Sequence, residues 1–246
     1  MFKEVRQSKI TQKIISQIRT AILEGKLKPG DKLPTEKKLV EEFQVSKQTL
    51  RESLRALEHM GLIDVRKGIG GGSFIVEVDI EIAKESLANY LYFKNLTIEN
   101  LSEFRRLIEP AAAKIAAQNI STEKLEALQQ LNDSARENLN RNRVRAAARD
   151  EFNFHRFIAE LTRNPILILV LDFVESMLDD FKSVLKPDSE FFETVLDAHD
   201  RIYDAIKNRN AELASKEMLD HVVAVGDHLI ELQKDFDFNR IYTRFN

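Results

Sequence analysis

A chain of 246 residues is long enough for two domains, or for one large domain with a well-buried core. With 43% hydrophobic and 31% charged residues it has an ordinary globular composition, and its zero cysteines exclude a disulfide framework and a thiolate metal site, which fits a reducing compartment. The formal charge of −3 hides an asymmetry: residues 1–76 hold 15 Lys+Arg and 9 Asp+Glu, net +6, while the remaining 170 hold 22 and 31, net −9. A basic first third is drawn to a polyanion and an acidic remainder is not.

Gly and Pro are scarce, at 8 and 5, so helix is favoured throughout. The longest aliphatic run, Ile166-Leu167-Ile168-Leu169-Val170-Leu171, is far short of the roughly 20 residues that span a bilayer. The N-terminus, MFKEVRQSKI, has no apolar core of signal-peptide length. The expectation is a cytoplasmic protein with no membrane partner.

In chain order, Ile10, Ile14, Ile18 and Ile22 stand four apart and predict one face of a helix that stops at Gly25. Lys28-Pro29-Gly30-Asp31 is a turn cluster, and Thr35 caps a short helix with Leu39, Val40 and Phe43 inward. Ser46 caps the next, whose apolar face is Leu50, Leu54 and Leu57 and whose end is Met60-Gly61. Leu62 to Lys67 and Ser73 to Val76 are β-prone runs around Gly68-Ile69-Gly70-Gly71-Gly72, a glycine-tipped hairpin. That order of elements is a winged helix-turn-helix, assigned to residues 1–78.

Residues 79–246 read as an all-α bundle of about seven helices, over 80–93, 98–119, 121–140, 145–163, 165–185, 189–208 and 210–234. Pro110 falls inside one of these patterns, where it is expected to kink or split the helix. The fold class is therefore mainly α.

In a helix-turn-helix the first turn of the second helix meets base edges and must carry hydrogen-bond donors, while later residues anchor it. Ser46, Lys47, Gln48, Thr49 and Arg51 meet the first demand and the three leucines the second. Arg66 and Lys67 precede the glycine tip. A solvated basic face is the bland alternative, set against the hairpin and the clustered positive charge.

The stretches LPTEKKLVEEFQVSKQTLRESLRALEHMGLI and KGIGGGSFIV resemble the DNA-binding domain of the GntR family of bacterial transcription regulators. The resemblance implies operator contacts from Lys37, Lys47, Thr49, Arg51, Lys67 and Gly68. The family usually has Arg at the positions of Lys37 and Lys47; Arg grips guanine with a planar fork and Lys offers a point charge, so the operator is expected to differ or to be read less sharply.

In the helical part His155, His199 and His221 stand on three separate predicted helices, and Glu151 lies four residues before His155, on the same face. Three imidazoles and a carboxylate suit Zn²⁺, Ni²⁺ or Mn²⁺, although spacing alone does not show that distant helices converge. His228 reads as structural, and His59 has no metal partner in view. Residues from roughly 80 to 232 resemble the FCD ligand-binding domain of the FadR-type regulators, which commonly holds a metal through Asp and three His. By that resemblance the ligands are Glu151, in place of the usual Asp, with His155, His199 and His221, and Arg105 clamps a small carboxylate effector. Read from spacing, Arg105 equally suits a salt bridge to Glu109, and its neighbour Arg106 reads as surface.

The function expected is an effector-responsive transcription regulator, a repressor, that binds double-stranded operator DNA as a homodimer and a small organic acid with a divalent metal. A DNA-binding dimer without ligand is a second reading. A His/Glu metalloenzyme is a third, disfavoured because HExxH is absent and Glu151 and His155 are four apart rather than three; no enzymatic activity is expected.

Overall fold

The computed structural model describes residues 8–77, 84, 87–91 and 93–234, and the chain divides into two compact units after Leu87. In the first unit α1 spans Ser8–Leu23, α2 Glu36–Phe43 and α3 Lys47–His59, followed by β1 at Ile63–Arg66 and β2 at Gly72–Ile75. Thr35 caps α2 by accepting from the Lys38 amide at 3.4 Å, and Ser46 caps α3 by accepting from the Thr49 amide at 3.1 Å. Each cap answers one of the amides that a helix start leaves without a partner.

Leu39, Leu50, Leu54 and Leu57 are buried together with Ile14, Ile15 and Ile18 of α1. The expected four-apart isoleucine stripe is only half realised: Ile14 and Ile18 are buried, while Ile10 is 50% exposed and Ile15 takes its place in the core. The reason is geometric, because a step of four residues overshoots a 3.6-residue turn and carries the stripe around the helix. β1 and β2 pair antiparallel with Ile63 opposite Ile75 and Arg66 opposite Gly72. A bridge from Lys32 to Phe74 ties the segment before α2 to the hairpin's outer edge. Gly71 permits the tight tip, since a Cβ there would lie 2.4 Å from the Arg66 carbonyl oxygen.

The second unit contains α4 (Ile98–Asn119), α5 (Thr122–Asn140), α6 (Val144–Leu161), α7 (Pro165–Leu185), α8 (Ser189–Lys207) and α9 (Ala211–Lys234). Of the helix expected over 80–93, residues 84 and 87–91 are helical and most of the remainder lies outside the described residues. Pro110 neither splits nor ends α4, which continues through it. The buried Ala112, Ala113, Ala116 and Ala117 just beyond it fix the following turns against the core, which offsets the one backbone hydrogen bond that proline removes.

Caps again set the starts. Thr97 and Asn100 form a reciprocal capping box on α4, and Ser121, Asn164 and Asp188 cap α5, α7 and α8. Phe154, Ile158, Ile202, Ile206, Met218 and Val222 lie in one buried cluster, and Ile98, Leu101, Leu178, Leu196 and Leu229 in another, with Phe104 packed against both. These layers bring inward-facing positions of α4, α6, α7, α8 and α9 to one buried centre. Among the described residues no helix is long and apolar enough to cross a membrane.

Candidate functional site

The first candidate surface is the N-terminal end of α3 with α2 and the hairpin. Lys37, Ser46, Lys47, Gln48 and Arg51 are exposed there, as are Lys67 and Gly68 at the hairpin tip. Thr49 differs from its neighbours: it is 7% exposed, and its hydroxyl pairs with that of Ser46 at 2.9 Å. These two hydroxyls satisfy each other and stiffen the first turn. The donors left facing outward are on Lys47, Gln48 and Arg51.

Glu36 is a participant the sequence reading did not single out. Both its oxygens accept from Arg51 Nε, at 3.2 and 3.1 Å, and one lies 4.0 Å from Lys47 Nζ. The carboxylate thus engages the inner edge of the guanidinium, and the outer pair of nitrogens remains for a two-point contact with a base. On the hairpin, Arg66 bonds Asp64 at 2.8 Å and lies 4.5 Å over the Phe74 ring. Lys32 donates to the Gly70 carbonyl at 2.9 Å, which holds the tip.

The second candidate is the buried centre of the helical unit. His155 from α6, His199 from α8 and His221 from α9 are at most 3% exposed. His155 Nε2 lies 3.1 Å from both His199 Nε2 and His221 Nε2. His155 Nδ1 meets Glu109 Oε2 at 2.5 Å, a carboxylate that turns the ring so that Nε2 faces the other two imidazoles. Burial, followed by the charge of His155, holds His199 well below the usual histidine range. Burial holds His221 down as well, with His199 and His155 adding to the effect. Both rings are therefore neutral at pH 7 and keep a lone pair. Burial also opposes the charged form of His155, but Glu109 and Glu175 outweigh it and raise the group.

A proton on His155 Nε2 serves one of its two imidazole neighbours and leaves the other unmatched. An unmatched buried polar atom costs about 1–3 kcal/mol, and a cation among the three nitrogens would engage them all. The donor set therefore fits a borderline divalent metal.

Glu151 stands at the edge of this group. Its Oε1 lies 3.9 Å from His155 Nε2, and both its oxygens are 2.7 Å from the buried Lys182 Nζ. Burial alone would push the carboxyl up, but Lys182 and then His155 hold it below the usual range, so it is ionised.

Arg105, 1% exposed, makes the ion pair with Glu109 that its spacing suggested, and its Nε also lies 2.6 Å from Glu175 Oε1. Its Nη2 is buried without a hydrogen-bond partner among the described residues. Burial opposes the charge on Glu109, yet Arg105 and His155 keep it well below the usual range. Glu175 goes the other way: burial pushes it up to about 7, with the pull of Arg105 offset by the charge of Glu109. Arg106 sits at the surface on Asp227 at 2.8 Å, and His228 stacks on Phe191 at 4.7 Å, a structural role.

A winged helix-turn-helix with an outward basic face, joined to an all-α domain with a buried ionisable centre, defines a DNA-binding regulator. Residues 10–72 match the bacterial regulatory proteins of the gntR family, and residues 100–224 match the FCD domain. The chain belongs to the gntR family, FadR-type, and is a regulator of transcription rather than an enzyme.

It is 31% identical over 217 residues to the HTH-type transcriptional regulator LutR of Bacillus subtilis, covering 85% of this chain and 95% of that protein. It is 26% identical over 230 residues to the galactonate operon transcriptional repressor of Escherichia coli, covering 90% of this chain and 97% of that one. A solved structure of a Streptococcus agalactiae GntR protein shares the fold with a TM-score of 0.69 at 23% identity, over 89% of this chain and 99% of the other.

Proposed function

We propose that this regulator is a homodimeric repressor whose grip on operator DNA is set by a small organic acid bound with a divalent metal in the FCD domain. The observation that carries the reading is the convergence of three buried imidazole Nε2 atoms, two of them on neutral rings, beside an ionised carboxylate. His155, His199 and His221 would hold the ion, with Glu151 as the fourth ligand once released from Lys182. Zn²⁺, Ni²⁺ and Mn²⁺ all suit nitrogen and oxygen donors of this kind. A bound ion supplies open coordination positions for a carboxylate oxygen, and Arg105, with its unmatched Nη2, would clamp the same acid.

On the DNA side Lys37, Lys47, Gln48 and Arg51 would reach the operator from α2 and α3, while Lys67 and Gly68 follow the backbone from the hairpin. Ser46 and Thr49 would shape the first turn and present its amides to phosphate. Effector binding must favour one arrangement of the two DNA-reading modules over another, since a ligand shifts an equilibrium only by its differential affinity. The relatives named as regulators and as an operon repressor support this reading.

Two measurements test the proposal. Elemental analysis of protein purified without chelator should find about one metal ion per chain in the wild type and almost none in His199→Ala. A mobility-shift titration should find specific operator binding lost in Arg51→Ala, with the circular dichroism spectrum retained. A metal-free wild type, together with no metal uptake on titration, would refute the sensor half. Unchanged operator affinity in the variant would refute the DNA half.

A further inference from the structure

The buried amine of Lys182 has no role in the reading above except as an obstacle. It sits 4% exposed on α7, with its Nζ 2.7 Å from each oxygen of a carboxylate that is itself 1% exposed. That same carboxylate has Oε1 at 3.9 Å from the imidazole nitrogen at which the three histidines meet. An ion among those nitrogens and the ammonium of Lys182 therefore compete for one pair of oxygens, and like charges a few ångströms apart in a buried site repel strongly.

The charge of the cluster indicates what resolves the competition. Its buried cations are Arg105, set against Glu109 and Glu175, and Lys182, set against Glu151. A divalent ion that takes Glu151 leaves the ammonium of Lys182 without its carboxylate. A buried excess charge is costly unless it is paired. A carboxylate placed against Lys182 replaces the partner that Lys182 gives up.

Resting on the metal and acid reading, we infer that Lys182 is an effector-anchoring residue: it holds Glu151 in the metal-free site and becomes an anchor for the acid's carboxylate when a divalent ion takes Glu151. Metal and acid then bind with positive coupling that runs through Lys182.

The test is zinc binding to the full chain by chelator competition, alone and with acetate as the carboxylate probe, in wild type, Lys182→Met and Lys182→Arg. In the wild type acetate should tighten zinc at least about fivefold, which is within the range of ordinary allosteric coupling. In Lys182→Met zinc alone should bind at least about fivefold tighter than in the wild type, and the acetate effect should shrink below about twofold. Lys182→Arg should keep the wild-type pattern.

Equal zinc affinity and equal acetate coupling in Lys182→Met would overturn the inference while leaving the metal reading in place. No zinc binding by any of the proteins would bring down the metal reading itself. If Lys182→Met does not fold, a zinc-loaded wild-type crystal structure decides: Lys182 Nζ should have moved beyond hydrogen-bond distance of Glu151, and two retained 2.7 Å contacts would refute the exchange.

Discussion

Glu175 shows what single residues do in the buried centre. Its carboxyl releases its proton at about 4.5 ordinarily and at about 7 in the fold, because burial and Glu109 disfavour its charge. Between those values the folded chain binds more protons than the unfolded one, so stability falls as pH rises through this window and is flat on either side of it. Glu175→Gln removes that contribution. Thermal melts at pH 5 and pH 7.5 should therefore show a steeper loss for the wild type than for the variant, by roughly 2 kcal/mol. Parallel losses in the two proteins would show that Glu175 is ionised throughout.

Legibility at this scale divides by distance along the chain. The Glu151 and His155 pair is readable because both stand on one helix four apart. Glu175 and Lys182 are not readable as partners, nor is the contact of Glu109 with His155, since helix packing alone makes these contacts. Glu36 was missed for the same reason: its contact with Arg51 crosses from α2 to α3. Because that contact aims Arg51, Glu36→Ala should weaken operator binding about tenfold, at a cost within the range of a good charge-assisted contact. A titration showing unchanged affinity and unchanged base preference would mean Arg51 needs no such support.

At the scale of elements the helices were legible because their ends carry chemistry. Ser46, Ser121, Asn164 and Asp188 each place an oxygen on the amides of a first turn, and α7 starts with Pro165 just inside it. Pro110 does not split its helix, because a proline's effect depends on how firmly the helix is packed, and α4 is in contact with other helices. The pairing of α4 with α9 was also invisible, for it depends on the small side chain of Gly226. A Cβ at Gly226 would lie 2.6 Å from Ser102 Oγ and 2.9 Å from Ser102 Cβ.

Gly226→Ala should therefore force these helices apart and destabilise the domain by about 1–3 kcal/mol, despite alanine's better helix propensity. Adding Ser102→Gly clears the contact and should recover most of that loss in urea unfolding. A single variant as stable as the wild type would show that the serine simply rotates away.

At the scale of the whole molecule the division of charge was plain in the sequence: net +6 over residues 1–76 and net −9 over the rest. What the sequence leaves open is how many basic modules meet one operator, because a dimer is made by surfaces that carry no motif. Salt dependence counts them. Each phosphate neutralised by Lys or Arg contributes about −0.9 to the slope of log K against log salt. Lys67, exposed at the hairpin tip, is a candidate for one such contact per module. If two chains hold one operator, Lys67→Gln removes two contacts and should flatten the slope by about 2, with base preference unchanged. A change of about 1 would mean that a single module binds each site, and no change would remove the hairpin from the interface.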